Sequence, residues 1–293
     1  MRIIALTTIL FIFSTNVVFA FDANTDSTDL ELSSSQYWSI DDATQVGLDI
    51  SGDFTISAWV NFESFSASAM TVVAKSNTAA ESTGAYNFFM FDDANPSPHI
   101  RFSTNISNGT SFGSVNRYWT SQPSTATWYF VTMTYTASSG NVSFWVDGVE
   151  QSTAQASGIT SVNNNAQAFR IGASNNGGSA STFWDGQIDD VRIWSRVLTG
   201  TEIGDLYDTP CTFDNGASIQ GQWLFDATGD DETANTNDLT NNNSATFTTE
   251  AYTCPAASTP SDDTTFDILG VARSFLVLLI APPLRKNRGK ITV

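Results

Sequence analysis

The chain has 293 residues, of which 30 are Asp or Glu, 12 are Lys or Arg and one is His, so its formal net charge is −18. An acid excess of this size repels phosphate backbones and excludes nucleic acid as a partner. Hydrophobic residues make up 41% and aromatic residues 12% of the chain, which excludes a disordered polyanion and is enough for a full-sized core.

Residues 1–20 have the composition of a secretory signal peptide. Arg2 is the charged start, an apolar run extends from Ile3 to Phe13, and Val18-Phe19-Ala20 offers small residues for cleavage. An uncleaved membrane anchor is the alternative, but the apolar run is short and polar residues follow it. We therefore predict a secreted chain that begins near Phe21.

Alternation of apolar and polar residues dominates residues 29–194 and indicates β-strands. The pattern is clearest in 54–62, 128–136 and 142–146, and the Asp147-Gly148 pair that follows is typical of a tight hairpin turn. Further strands are predicted at 29–33, 36–40, 70–75, 85–91, 98–103, 168–173 and 186–194.

One short helix is predicted from Thr199 to Tyr207, because Thr199 and Glu202 stand at capping-box spacing. Helix patterns are otherwise almost absent from the body of the chain. Many short strands with polar loops and so little helix predict an all-β fold in which two antiparallel sheets form a sandwich.

Four stretches contain specific sequence motifs in addition to the alternation of apolar and polar residues. They are 53–60, 128–131 leading into 144–148, 169–172, and 183–194. In this order and spacing they resemble the laminin-G-like jelly roll of the concanavalin A-like lectin/glucanase superfamily, which includes pentraxins, over roughly residues 27 to 208. The resemblance implies a jelly-roll domain, predicted at 27–210. It also implies binding of glycans, proteins or phosphorylated headgroups, often through calcium at one rim.

The segment 211–254 is bounded by the two cysteines of the chain, Cys211 and Cys254. Two cysteines in a secreted chain are expected to pair, with two free buried thiols as the alternative. Sequence motifs inside the segment are similar to motifs that commonly lie at the start of a domain of this family, just ahead of its first strand. We predict a disulfide-closed β-hairpin extension that packs on the sandwich, because about 40 residues cannot build a second core; the remnant of a second repeat is the alternative.

The C-terminal end is predicted to consist of a polar linker at 255–267, a hydrophobic segment at 268–284 and a basic tail at 285–293. An apolar segment followed by bases is the layout of a membrane anchor, and it loosely resembles bacterial surface-sorting tails. Its length is at the lower limit for a span, and Arg273 and Pro282-Pro283 interrupt it. Secretion with tethering to the cell surface is the predicted localisation.

Calcium is the predicted cofactor, and it needs about six to eight oxygen ligands. Pentraxins carry ion ligands in the segment matching Gly172–Asp190, but the loop 173–178 lacks their acids. Alternation places Asp189 on one face with Val191 and Ile193, pointing inward, where a carboxylate needs a cation or several donors. The alternatives are a turn cap or a pair with Arg192 or Arg196. The candidate ligands are Asp189, Asp190, Asp185, Asn175, Asp41 and Asp42.

Aromatic side chains are the candidates for ligand binding, because sugar rings stack on flat aromatic surfaces. Trp119 and Tyr118 lie in a polar neighbourhood and are predicted to line a rim. Trp59 and Trp145 fall on strand faces opposite to the core positions. We expect loops or the C-terminal extension to cover these two tryptophans.

Catalytic residues are not predicted. Glycosidases of this fold carry Glu-x-Asp-x-x-Glu on one strand, and the chain has no such string, nor a nucleophile elbow, a phosphate loop or a zinc pattern. The predicted function is a secreted or surface-tethered, non-catalytic module that binds a glycan or a protein surface with the help of calcium. A structural envelope protein and a degenerate glycosidase-like domain are the alternatives.

Overall fold

The computed structural model describes residues 24–65, 69–93, 100–155, 158–249 and 251–252. The predicted signal peptide, Cys254, the linker, the hydrophobic segment and the basic tail lie outside these residues. In the part of the chain that is described, no helix is both long and apolar enough to cross a bilayer.

The described residues form short strands and one α-helix, α1 (Gly200–Asp208). The strands are β1 (Asp26–Leu30), β2 (Tyr37–Ile40), β3 (Phe54–Phe62), β4 (Ala69–Lys75), β5 (Tyr86–Asp92), β6 (Ile100–Ser107), β7 (Phe112–Tyr118), β8 (Trp128–Thr136), β9 (Asn141–Val146), β10 (Val149–Gln155), β11 (Phe169–Ile171), β12 (Ser174–Asn176), β13 (Ser179–Ser181), β14 (Gly186–Trp194), β15 (Ile219–Trp223), β16 (Thr240–Asn242) and β17 (Thr246–Thr249).

Two antiparallel sheets pack face to face. The first has the order β10-β9-β8-β3-β14-β1-β17, and β15 also pairs with β14. The second has the order β16-β2-β11-β4-β5-β6-β7, and β12 and β13 form a separate hairpin. The predicted all-β, two-sheet antiparallel jelly-roll sandwich is therefore confirmed.

The core lies between the sheets and follows from the period-2 pattern. The five apolar positions of β3, from Phe54 to Phe62, are all fully buried. Facing strands contribute a stack of rings, in which Phe102 lies 5.3 Å from Phe144 and 6.0 Å from Phe88. Each such ring contributes about 1.5–3 kcal/mol by leaving water.

Helix α1 covers the outer face of the first sheet. Thr199 and Glu202 form the predicted capping box, and Arg196 lowers the pKa of Glu202 to about 2. The buried face of the helix carries Ile203 and Leu206, which join a second apolar cluster with Trp59. Trp59 is only 8% exposed and the half-buried side chain of Trp145 packs on the same cluster, so both are covered as predicted. Helix α1 packs on both rings, and of the predicted covers only the C-terminal extension contributes, through Tyr252 against Trp59.

The segment 211–249 adds strands to both sheets. β15 and β17 extend the first sheet and β16 extends the second. The predicted β-hairpin was wrong, because the chain changes sheets between β16 and β17. Asn243 and Ser244 turn this corner with positive φ, and the Asn241 side chain accepts from and donates to Ala245 across it. Cys211 is disulfide-bonded, but Cys254 lies outside the described residues, so their pairing stays a prediction.

Candidate functional site

Asp189 lies in β14 on the outer face of the first sheet. A β-bulge with Asp190 at φ 40° reverses the side-chain alternation, so Asp189 lies opposite Trp59 on the neighbouring strand while Val191 and Ile193 face the core. The prediction that Asp189 shares their face was therefore wrong. The residue is nevertheless fully buried, because the C-terminal part of the described chain lies over it.

The carboxylate of Asp189 has an incomplete set of partners. Its Oδ2 accepts from Asn24 Nδ2 at 3.0 Å and from the Ala251 N–H at 2.8 Å. Within the described residues, its Oδ1 and the Oδ1 of Asn24 are buried without any hydrogen-bond donor. Burial raises the pKa of Asp189 well above its ordinary value. Burial without further donors favours a proton or a cation at this group, and the unpartnered oxygens of Asp189 and Asn24 are two of the roughly six to eight that a calcium ion needs.

Asp190 is fully engaged with its neighbours. Its two oxygens accept from Arg192 Nε and a second guanidinium nitrogen, each at 2.7 Å, and the Tyr252 hydroxyl donates to Oδ2 at 2.6 Å. Burial opposes the charge on Arg192, but Asp190 outweighs it and raises the pKa of the guanidinium. Asp190 is therefore the partner of a buried ion pair, and the prediction that it is a calcium ligand was wrong.

Asp185 lies at a rim of the first sheet. It accepts from the Leu32 N–H at 3.1 Å and from the Ser64 hydroxyl. Nearby carboxylate oxygens of Asp29, Glu31 and Glu63 lie within 4.8 Å of one another. Partial burial, together with Asp29, Glu31 and Asp185, raises the pKa of Glu63. Glu63 is exposed to water, so this acidic group does not by itself identify an ion site.

The remaining predicted ligands are used elsewhere in the fold. Asp42 forms an ion pair with the buried ammonium of Lys75 at 2.5 Å, and the carbonyl of Asp41 holds the following turn. Asn175 is buried, and its side chain accepts from the Gly178 N–H at 2.8 Å. The prediction that Asp42 and Asn175 are calcium ligands was wrong, because these side-chain oxygens already have partners that loop composition does not reveal; the carboxylate of Asp41 as a ligand stays a prediction.

Trp119 is a core residue. It continues the inward positions of β7, is only 3% exposed and stacks on Phe102 at 5.0 Å. The prediction that it lines a binding rim was therefore wrong. Tyr118 has the opposite orientation and is 53% exposed, with its hydroxyl donating to Asp93 at 3.0 Å.

A pocket of about 270 Å³ lies on the outer face of the second sheet. Phe89 and Phe91 of β5 form its apolar side, because Phe88 and Met90 take the core positions of the same strand. Beside it the guanidinium of Arg101 lies 4.7 Å above the Phe91 ring. The full lining is Ala69, Thr71, Thr78, Glu81, Phe89, Phe91, Asn105, Ser174 and Thr182.

The polar side of this pocket carries one carboxylate and several uncharged groups. Burial raises the pKa of Glu81, and a hydrogen bond with Asn105 partly opposes that effect. The hydroxyls of Thr71 and Thr182 lie 2.7 Å apart. No Lys, Arg or His is among the lining residues that the structure describes. Apolar rings on one side of the pocket therefore face hydroxyls, an amide and a carboxylate on the other.

Sequence reasoning did not identify this pocket. Its signal is the unbroken apolar run from Phe88 to Phe91, which departs from strict alternation and puts two rings on the outer face of a sheet. The polar members come from separate segments, and only the fold brings Glu81, Asn105 and Thr182 together.

The comparisons with known proteins agree with this architecture. The family model Laminin_G_3, described as the concanavalin A-like lectin/glucanases superfamily, matches residues 32–204. The native heptameric SAP-like pentraxin from Limulus polyphemus is similar with a TM-score of 0.57 and 11% identity, over 78% of this chain and 96% of that chain. No curated protein matches the chain.

A second similar structure is a protein from Bacteroides ovatus with a proposed carbohydrate-binding role. Its TM-score is 0.57 and its identity 17%, over 80% of this chain and 62% of that chain. This chain therefore spans less than two thirds of the length of that protein. At such identities the likeness concerns the fold alone.

Proposed function

This chain belongs to the Laminin_G_3 family of the concanavalin A-like lectin/glucanases superfamily, and from that membership we propose that it is a non-catalytic module that binds glycans. The pocket between Phe91 and Glu81 on the second sheet is the proposed site. The superfamily includes lectins, and a carbohydrate-binding role proposed for the Bacteroides ovatus protein is consistent with this function. Similarity of fold alone does not establish glycan binding.

The observation that carries the proposal is the composition of the pocket. The C–H face of a pyranose ring packs against an aromatic ring such as that of Phe91, while Phe89 is only 7% exposed. The hydroxyls of the sugar both donate and accept, which matches Glu81, Asn105 and the threonine hydroxyls. The described lining has no basic residue, the neighbouring Arg101 is paired with Asp93 at 3.1 Å, and the chain carries a net charge of −18, so we propose an uncharged glycan.

In this proposal calcium stabilises the fold and does not contact the glycan. A calcium ion held by Asp189 and Asn24 would supply the positive charge that the buried carboxylate lacks. Asp189 also bonds to the Ala251 backbone, so the ion would secure the N-terminal residues and the covering C-terminal residues together. We propose that calcium supports glycan binding through stability, because Asp189 lies on the other sheet from the pocket.

An extracellular location completes the proposal. It rests on the signal-like residues 1–20 and on the pairing expected of Cys211 with Cys254. Tethering by residues 268–284 is part of the same proposal. A glycosidase is disfavoured, because that chemistry needs two carboxyl groups across the bond, and Glu81 is the one carboxylate among the described lining residues.

A glycan array tests the function with three proteins. The wild type is expected to bind uncharged oligosaccharides, and Phe91→Ala is expected to lose that binding because it removes the ring on which the sugar packs. Phe112→Ala is the matched control, since Phe112 lies exposed on β7 of the same sheet, outside the pocket. Failure of the wild type to bind any glycan, with binding to a protein instead, would favour the second candidate, a module for protein contacts.

A further inference from the structure

The polar side of the pocket between Phe91 and Glu81 has a fixed direction of hydrogen bonding. A hydroxyl group carries one proton and two lone pairs, so a hydroxyl that donates inside the protein meets a ligand as an acceptor. Thr78, Thr182 and Glu81 line this side of the pocket and are half-buried, so a ligand reaches them from the solvent. Where their protons go therefore decides which groups of a ligand they recognise.

Thr182 donates its proton into the protein. The fully buried hydroxyl of Thr71 lies 2.7 Å from Thr182 Oγ1, which is its partner among the described residues, so Thr71 donates to Thr182. Thr182 in turn donates to Ser174 Oγ or to the Ser181 carbonyl, each at 2.8 Å. One lone pair of Thr182 Oγ1 is left, and it accepts a hydrogen bond from a ligand.

The backbone of Thr182 has an unusual conformation in this pocket. Its φ is 50°, in the left-handed region that β-branched residues rarely adopt. The Thr71 N–H holds this conformation by donating to the Thr182 carbonyl at 3.0 Å. Backbone strain of this kind clusters at binding sites, where the fold holds a side chain in a defined place.

The other two side chains also present acceptors. The Thr78 hydroxyl donates to the Asn175 carbonyl at 3.0 Å, which leaves its lone pairs for a ligand. Glu81 has no proton to donate when it is ionised, and a side-chain hydrogen bond joins it to Asn105. The oxygen atoms of Thr78, Thr182 and ionised Glu81 therefore accept hydrogen bonds and donate none to a ligand.

We propose that this pocket recognises hydrogen-bond donors and so selects a sugar edge whose hydroxyls are unsubstituted, an inference that rests on the proposed function. The free hydroxyls donate to Thr78, Thr182 and Glu81 while the sugar ring packs on Phe91. A methyl ether, an acetyl ester or a sulfate at the same positions offers acceptors alone, which leaves the protein oxygens without donors. Thr182 and Glu81 thus determine specificity among glycans.

Fluorinated sugars test this direction, because fluorine in place of a hydroxyl removes the donor and keeps a weak acceptor. Methyl glucoside, methyl galactoside and methyl mannoside are titrated into the full chain by NMR, together with derivatives in which each hydroxyl is replaced in turn by fluorine. The pH is mildly alkaline, where carboxyl groups are ionised. At least one parent glycoside is expected to bind, and at least one of its fluorinated derivatives is expected to bind about tenfold more weakly.

Variants assign this difference to side chains. Glu81→Gln adds an amide donor at the same place, so it is expected to remove most of the difference between the parent and the fluorinated sugar. Glu63→Gln makes the same change at an exposed position outside the pocket and should leave the difference as in the wild type. Thr182→Val removes an acceptor, keeps the β-branched shape and should weaken the parent about fivefold, whereas Thr182→Ser should not.

Three results overturn the inference. They are equal binding of the parent and all fluorinated sugars by the wild type, an unchanged difference in Glu81→Gln, and equal affinities of Thr182→Val and the wild type. Each of them leaves glycan binding itself intact. Absence of binding by every glycoside also overturns the inference, whereas the proposed function is judged separately by the glycan array.

Discussion

Asn24 donates a hydrogen bond from Nδ2 to Oδ2 of Asp189 at 3.0 Å, which joins the first described residue to the middle of β14. The remaining oxygen of each side chain is buried without a donor in the described structure. Two unsatisfied oxygens beside a buried carboxylate are unfavourable unless a proton or a cation compensates them. The stability of the sandwich should therefore depend on what occupies this place.

The first prediction concerns calcium and Asp189. If calcium binds there, the wild type should gain about 2.7 kcal/mol of unfolding free energy when the free ion is 100 times its dissociation constant. Asp189→Asn should show no gain, because it removes the charged ligand. Differential scanning calorimetry with chelator and with calcium measures both. Asp230→Asn changes an exposed acid and should respond like the wild type; an equal calcium response in Asp189→Asn would refute the site.

The second prediction concerns pH in the presence of chelator. Because burial raises the pKa of Asp189 above the ordinary 3.8, the protonated form is favoured in the folded state. Its contribution to stability is fully present below pH 3.8 and is lost as the pH rises through the folded pKa. Urea unfolding of the wild type minus that of Asp189→Asn should therefore decline with rising pH. A difference that is flat or increases with pH would contradict a raised pKa.

The third prediction concerns the buried pair of Asp190 and Arg192. Arg192→Met should lower the unfolding free energy by about 3–5 kcal/mol, because the Asp190 carboxylate stays buried without its cation. Adding Asp190→Asn should recover part of that loss. Chemical denaturation of the two variants measures the coupling. A loss below about 1 kcal/mol for Arg192→Met would show that Asp190 does not need its partner.

Alternation predicted the body of the fold well, because β3, β8 and β14 bury one face against the other sheet and must repeat with period two. The sequence does not predict the edge strand β7, since FGSVNRY has few apolar positions to alternate, and it indicates the edge strand β10 only through the hairpin turn at Asp147-Gly148 that precedes it. The first strand ends at Leu30 and not at residue 33, because residues 32–34 form a short 3₁₀ turn.

The candidate sites were less predictable than the fold. A strict two-residue period predicts the wrong face for Asp189, because it does not reveal the bulge at Asp190. The polar neighbours of Trp119 predict a rim position, but the inward positions of β7 continue as far as this ring and bury it. Partners such as Lys75 for Asp42 lie far apart in sequence, so composition alone does not reveal them.

The fourth prediction concerns the helix that covers the first sheet. Thr199→Ala should lower the unfolding free energy by about 1 kcal/mol, because the hydroxyl accepts from the Glu202 N–H at 3.2 Å in the capping box. Thr201→Ala changes an exposed threonine in the first turn and is the control, with an effect near zero. Equal losses in the two variants would show that the cap does not stabilise α1.

The fifth prediction tests glycan binding most directly, through a crystal structure of the protein with the uncharged glycan that it binds most strongly on the array. We expect a pyranose ring packed on Phe91 in the outer-face pocket, with a sugar hydroxyl bonded to Glu81. A glycan seated only elsewhere, with the pocket between Phe91 and Glu81 open, would contradict the proposed function.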